Sequence, residues 1–379
     1  MNKSMINRIL GIMMILGIFA FSSVTLLAAD GFPDRMVPEP PGIIVERWVE
    51  NLEIPWSLIF LPNNRALVSE RPGRIRLIEN GILREEPYAT LEVTHIGEGG
   101  LMGLALHPNY PEEPYLYAMH TIQGAKGLVN RIILLRDQGN RAVFERVIFD
   151  NIPGGRNHNG GRIAFGPDGM LYATTGETFQ GELAQDLNSW GGKILRLTPD
   201  GKIPDDNPFP GSPVYSYGHR NPQGLAWHPE TGDLFSSEHG PSGEQGWRGH
   251  DEINLITPGG NYGWPIEIGI HQNPTFIGPI VFWQNSTPPT GMTFFRKDLF
   301  VASLRSQALL RIILEIEDGD YQVKEIERWF ASDSSTGLLG RLRDVVEGSD
   351  GNLYLLTSNR DGRGRPRPGD DTIWRLIFP

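Results

Sequence analysis

The chain has 379 residues, a formal net charge of −11, 39% hydrophobic residues, 46 glycines, 30 prolines and no cysteine. The acidic balance speaks against a nucleic-acid binder, which carries a basic footprint. The missing thiols exclude disulfides, thiolate chemistry and thiol-anchored lipids. So many glycines and prolines suit a turn-dense all-β fold with an ample core.

At the N-terminus, Lys3 and Arg8 precede an apolar run over residues 9–27, followed by Ala28 and Ala29. A positive start, an apolar centre and a small-residue end predict a secretory signal over 1–29. The run is long, and Leu27 is a poor residue three places before the cut. An uncleaved membrane anchor is the alternative. Export to the periplasm or beyond is expected in both cases, with membrane attachment only if the segment stays. Residues 30–42 are proline-rich and read as an exposed linker.

Residues 43–52 read as a strand. One pattern then recurs six times: an apolar stretch, a Pro/Asn/Asp/Gly turn and a short apolar strand. The copies lie at 60–69, 106–118, 165–175, 227–236, 295–303 and 347–357, the fifth being degenerate. Third strands follow at 73–78, 130–135, 192–197 and 309–314. Residues 372–378 form a last strand with no successor, and pairing it with 43–52 would close a ring and remove two exposed edges. A strand-and-turn repeat of this period marks a β-propeller. The expected fold is all-β, a six-bladed propeller over 43–379 of four-stranded antiparallel blades, closed by the N-terminal strand.

Four segments carry the candidate chemistry. Residues 154–162 hold His158 between asparagines and glycines, where it could act as a general base near neutral pH or simply bond a neighbouring blade. Residues 217–226 hold Arg220, whose planar fork suits a carboxylate or a developing oxyanion, or an inter-blade salt bridge. Gly240 and Pro241 leave carbonyls without an obvious strand partner, suited to a hard cation such as calcium, or to a plain loop. Gly-Arg-Leu-Arg-Asp at 340–344 aims Arg341 and Arg343 the same way, with Asp344 turned from both. With Arg305 they describe a pocket for a polyanionic small molecule, or else a solvated charged face.

These residues, with Gly-Glu-Gly-Gly-Leu-Met-Gly at 97–103, Glu-His-Gly-Pro at 238–241, Asp-Glu-Ile-Asn at 251–254 and Asn-Tyr-Gly-Trp-Pro at 261–265, resemble the soluble quinoprotein glucose/sorbosone dehydrogenases. The resemblance runs over about residues 43–378, and His239 is similar to the aldose sugar dehydrogenase branch. It implies oxidation of aldoses at C1 to the lactone, using pyrroloquinoline quinone (PQQ) and calcium. By resemblance, His158 is the base and Arg220 polarises the quinone. Glu98, Asn221, Arg305, Arg341 and Arg343 contact the cofactor, and Gly240 and Pro241 hold the calcium. The partners implied are a sugar and an unidentified electron acceptor. In the glucose dehydrogenase branch Gln stands at Glu98, Asp at Asn157 and Lys at Arg305. With Asn157 in place of that carboxylate, His158 is expected to be less firmly oriented. Two rivals remain: a calcium-dependent propeller hydrolase such as a lactonase, using Asp251 and Glu252, and a non-catalytic binding propeller. The stretch 282–295 is expected to form a wall of the sugar entrance.

Overall fold

The computed structural model describes residues 31–379 and the backbone of Thr25–Leu27. The apolar run read as a signal therefore lies almost wholly outside the described residues. Six sheets follow one another along the chain. Blades one to six span residues 55–90, 101–153, 163–217, 222–283, 289–329 and 342–377. Ile44–Val49 completes blade six by antiparallel pairing with Ile373–Ile377, placing Val49 opposite Ile373 and Ile44 opposite Ile377. The ring closes as its two end strands suggest.

Two blades exceed four strands. In blade one, Arg74–Glu79 pairs with both Ile82–Leu83 and Ala89–Thr90. In blade five, Pro33–Val37 adds a parallel outer strand against Asp320–Trp329, with Asp34 opposite Ile326. The reading of 30–42 as an exposed linker is thus corrected over Pro33–Val37, while residues 38, 39, 41 and 42 are exposed and outside any strand. Asp34 is 2% exposed, and its carboxylate accepts from Arg328 Nε at 2.7 Å and Nη2 at 2.8 Å and from Trp283 Nε1 at 3.2 Å. Proline hid this strand, yet Pro33 takes the first strand position, where a missing N–H costs little.

Among the described residues the helical elements are two short 3₁₀ turns, Gly181–Ala184 and Glu244–Gly246, and no helix is long and apolar enough to cross a membrane. Inner strands such as Leu171–Thr175, Leu234–Glu238 and Leu353–Thr357 are buried at every position, because neighbouring blades cover both faces. That is why their sequences lack clean alternation. The apolar core divides into clusters at the blade junctions. Leu67 and Leu116 meet between blades one and two, Phe235 and Leu310 between four and five, and Val68 and Leu356 between six and one.

Each first strand runs from one end of the ring to a hairpin at the other. The starts of first strands and the ends of second strands therefore share one end, and the six repeated turns share the opposite end.

Candidate active site

A cavity of about 210 Å³ opens at the end where first strands begin. Each lining residue precedes or opens a first strand, as do Trp56, Glu98, Gly160, Gln223, Arg341 and Arg343, or follows a second strand, as do Arg71, His239, Leu304 and Asp361. The hairpin turns contribute nothing to it.

His158 sits at its edge, 4% exposed, on a loop that puts it at φ 55°. Asn159 folds that loop back: its Oδ1 accepts from Gly155 N at 2.9 Å, and its Nδ2 donates to Gly155 O at 2.8 Å. The imidazole is held on both nitrogens. Arg220 Nη2 donates to Nε2 at 2.9 Å, and Nδ1 bonds the buried Glu177 carboxylate. A guanidinium only donates, so Nε2 carries the lone pair and Nδ1 the proton. The Phe179 ring lies 3.9 Å from the imidazole, centroid to centroid. The expectation that Asn157 leaves His158 loosely oriented is thereby corrected: Glu177, from just beyond blade three's second strand, supplies the orienting carboxylate. Gly176 permits the approach, since a Cβ there would collide with His158 O.

Asn157 serves Glu98 instead, donating from Nδ2 at 3.0 Å. Glu98 also accepts from His158 N at 3.1 Å and Arg363 Nη1 at 2.8 Å. Burial opposes its charge, but Arg363, His158 and Asn157 outweigh burial and pull the carboxyl down to about 2. Glu98 is ionised and paired.

Five arginines line the cavity (Arg71, Arg156, Arg341, Arg343 and Arg363) against two carboxylates, Glu98 and Asp361, an excess of three positive charges. Asp361 takes Arg341 through Nε at 2.9 Å and Nη2 at 2.8 Å. Among the described residues Arg343 has only Gln223 Oε1, at 2.8 Å, and burial pushes it down to about 9. Burial lowers Arg71 as well. His239 is held neutral, burial pushing it down to about 3. Arg71 Nε, Arg343 Nε and His239 Nε2 are buried without a hydrogen-bond partner among the described residues. These three orphaned atoms surround one cavity, where a single ligand would satisfy them.

A recess of about 20 Å³ adjoins it, sharing His239 and lined also by Arg220, Glu238, Gly240, Pro241 and Glu252. It has room for one water-sized occupant. Neither the Gly240 nor the Pro241 carbonyl receives a protein donor among the described residues. Asp251 is occupied, accepting from Gly240 N at 2.9 Å and Thr287 N at 2.6 Å, and burial pushes it up to about 6. Burial and the adjacent Glu238 charge raise Glu252 well above the usual range.

The cavity thus gathers Glu98, Arg341 and Arg343, with His158 and Arg220 beside it and Gly240 and Pro241 in the recess. Besides His158, which lines neither the cavity nor the recess, two expected residues stand outside both linings. Asn221 is fully buried one layer behind, its Oδ1 accepting from Gly160 N at 3.0 Å and Gln223 Nε2 at 3.2 Å. Arg305 is exposed, and its neighbour Leu304 takes the wall position. The stretch 282–295 also contributes nothing to the lining: it ends blade four and begins blade five. Sequence reasoning missed Glu177, Arg71, Asp361 and Arg363. All four follow second strands, the placement shared by Gly240 and Pro241.

Residues 52–367 match the family described as glucose/sorbosone dehydrogenase. The chain belongs to the glucose/sorbosone dehydrogenase family. An aldose sugar dehydrogenase of Escherichia coli is 33% identical over 356 residues, covering 85% of this chain and 92% of that protein. A solved Streptomyces coelicolor aldose sugar dehydrogenase in its PQQ-bound form is 40% identical, with a TM-score of 0.77, and covers 89% of this chain and 99% of its own. A Thermus thermophilus structure, a candidate glucose dehydrogenase, is 56% identical with a TM-score of 0.83, over 89% of this chain and 100% of its own.

Proposed function

We propose that this family member is a PQQ- and calcium-dependent aldose dehydrogenase that oxidises sugars at C1 to the lactone. The observation that carries the reading is the cavity's excess of three positive charges, with buried donors left unpaired beside it. PQQ is a tricarboxylate, and Arg71, Arg341, Arg343 and Arg363 are the groups that would hold it. The carbonyls of Gly240 and Pro241 supply the hard oxygen ligands calcium prefers. Arg305, at the rim, fits only a contact made from outside the lining.

PQQ supplies, when bound, a two-electron acceptor for the hydride leaving C1. Once Arg220 Nη2 gives up its hydrogen bond to Nε2, the freed lone pair of His158 receives the C1 hydroxyl proton, and Glu177 steadies the imidazolium through Nδ1–H. Arg220 offers its guanidinium to negative charge developing on the acceptor. Phe179 shields one face of the imidazole from water.

The hydrolase alternative would need free carboxylate oxygens on a metal at the cavity. Asp251 gives both of its oxygens to backbone N–H groups, and the arginines would have no role. The leader-like N-terminus supports export.

The test is reconstitution of purified protein with PQQ and calcium, followed by dye reduction over a panel of aldoses and oligosaccharides. Sugar-dependent reduction is expected. No reduction with any aldose at saturating cofactor would overturn the reading, and lactone hydrolysis without PQQ would favour the hydrolase.

A further inference from the structure

Arg220 has its hydrogen-bonding edge filled from within the protein. Nε donates to Glu244 Oε1 at 3.0 Å, and Nη2 donates to the same carboxylate and to His158 Nε2 at 2.9 Å. Nη1 donates to His239 O at 3.0 Å. Four of the five N–H groups are taken, and the carboxylate holds the edge that an acceptor's oxygen would need. Glu244 is also one of three residues, with His158 and Glu177, whose ligating atoms lie within 4.8 Å of one another. Arg220 stands in hydrogen-bond contact with two of the three, so the charge that belongs there is the guanidinium and not a metal ion.

Glu244 rides on a loop with closely packed ends and an open middle. At Gly240 a Cβ would strike Gly249 O and His250 O, and at Gly249 it would strike Gln284 O, so both ends are packed against backbone. In the middle, Gly246 has nothing within 4 Å and Gly243 nothing nearer than 3.6 Å. Besides the ion pair, the middle is held to the rest of the protein by Gln245 Nε2 donating to Pro265 O at 3.1 Å and Arg220 Nη2 donating to Ser242 Oγ at 3.4 Å, while Ser242 N donates to Glu244 Oε2 at 2.6 Å and Ser242 bridges Arg248 within the loop itself. Trp247 beside it is 49% exposed.

We propose that Glu244 is an internal counter-anion that holds Arg220 until an anionic ligand displaces it, so that loop 241–249 opens as the cofactor docks. The proposal rests on the reading that the site takes PQQ. Displacement follows from competition. A carboxylate and an acceptor oxygen cannot share one guanidinium edge, and a ligand bearing three carboxylates favours the open state in a way a neutral sugar does not. The apparent affinity is the intrinsic affinity multiplied by the fraction of molecules that are open. The latch also keeps a buried arginine neutralised in the cofactor-free protein, where a lone guanidinium would be costly.

The experiment titrates PQQ into the full chain at fixed calcium, following tryptophan fluorescence, for wild type and Glu244→Gln. Glutamine keeps the shape and removes the charge. The variant is expected to bind PQQ roughly tenfold tighter, an ordinary coupling factor; equal or weaker binding overturns the proposal. A second measurement needs no cofactor. Trypsin cleavage after the exposed Arg248 is expected to be several-fold faster in Glu244→Gln than in wild type, and equal rates overturn the latch. The two readings fail separately. If wild-type protein does not bind PQQ at all, the functional reading falls and this proposal with it. If wild type binds and the variant does not tighten, only the role of Glu244 falls.

Discussion

The two ends of the ring handle charge in opposite ways. At the hairpin end two blades answer charge locally and in the same way. In blade three, Asp168 accepts from Tyr172 OH at 2.9 Å and Arg196 Nε at 3.0 Å. In blade six, Asp350 accepts from Tyr354 OH at 3.1 Å and also takes Arg375. Tyr172 lies directly across from Arg196, and Tyr354 directly across from Arg375, so the same trio is set by strand register. At the cavity end positive charge is left over, and buried donors go without partners. The lesson is that repetition builds the scaffold, while the site consists of what the scaffold leaves unsatisfied.

Four perturbations test that contrast, in descending order of effect. His158→Gln removes the lone pair that the proposed reaction uses as its base. Turnover in the reconstituted dye assay should fall about 10³-fold, with the dissociation constant for PQQ little changed. Arg343→Met removes a buried cation that has no carboxylate partner. PQQ binding should weaken about tenfold to a hundredfold, the worth of one or two charged hydrogen bonds. The cofactor-free protein should meanwhile unfold at a higher temperature, because the uncompensated charge is gone. Asp350→Ala should do the reverse. Unfolding in urea should show a loss of about 1–2 kcal/mol, while PQQ affinity stays the same. An Arg343 variant that loses stability, or an Asp350 variant that loses affinity, would break the contrast between the ends.

The fourth effect is one of acid stability. The folded Glu98 carboxyl is held down to about 2, from an ordinary 4.5. Its ionised form is favoured by folding, so its contribution is full above about pH 4.5 and is lost as pH falls towards 2. Glu98→Gln should flatten that part of the acid-unfolding profile of the cofactor-free protein, followed by fluorescence between pH 5 and pH 2.

The ring was legible because its cause is local. Each turn and its two flanking strands lie in one short stretch, from 163–175 in blade three to 101–124 in blade two, and the closing pair stood out as strands with no neighbour in sequence. His158, Arg220, Arg341, Arg343, Gly240 and Pro241 were legible as residues without a local use. Their partners were not. Arg162 meets Asp344 across 182 positions, and Glu98 meets Arg363 across 265. No window of sequence contains such pairs, because the ring and not the chain makes them neighbours. The same limit explains Arg305. Its place after a second strand is evident in the sequence, but whether it or Leu304 turns inwards depends on how blade five packs.

One consequence follows from the added strand, Pro33–Val37. It is stitched to the outermost strand of blade five by backbone pairing and by the Asp34–Arg328 ion pair. The polypeptide therefore joins the ring from its rim, far from the axis. Whatever is attached ahead of this strand, whether a natural tether, an affinity tag or an electrode linker, pulls on the wall of one blade and leaves the opening unobstructed. Immobilisation through the N-terminus should accordingly cost little access to the site, whereas cutting between residues 37 and 44 would free the tether and spare the ring.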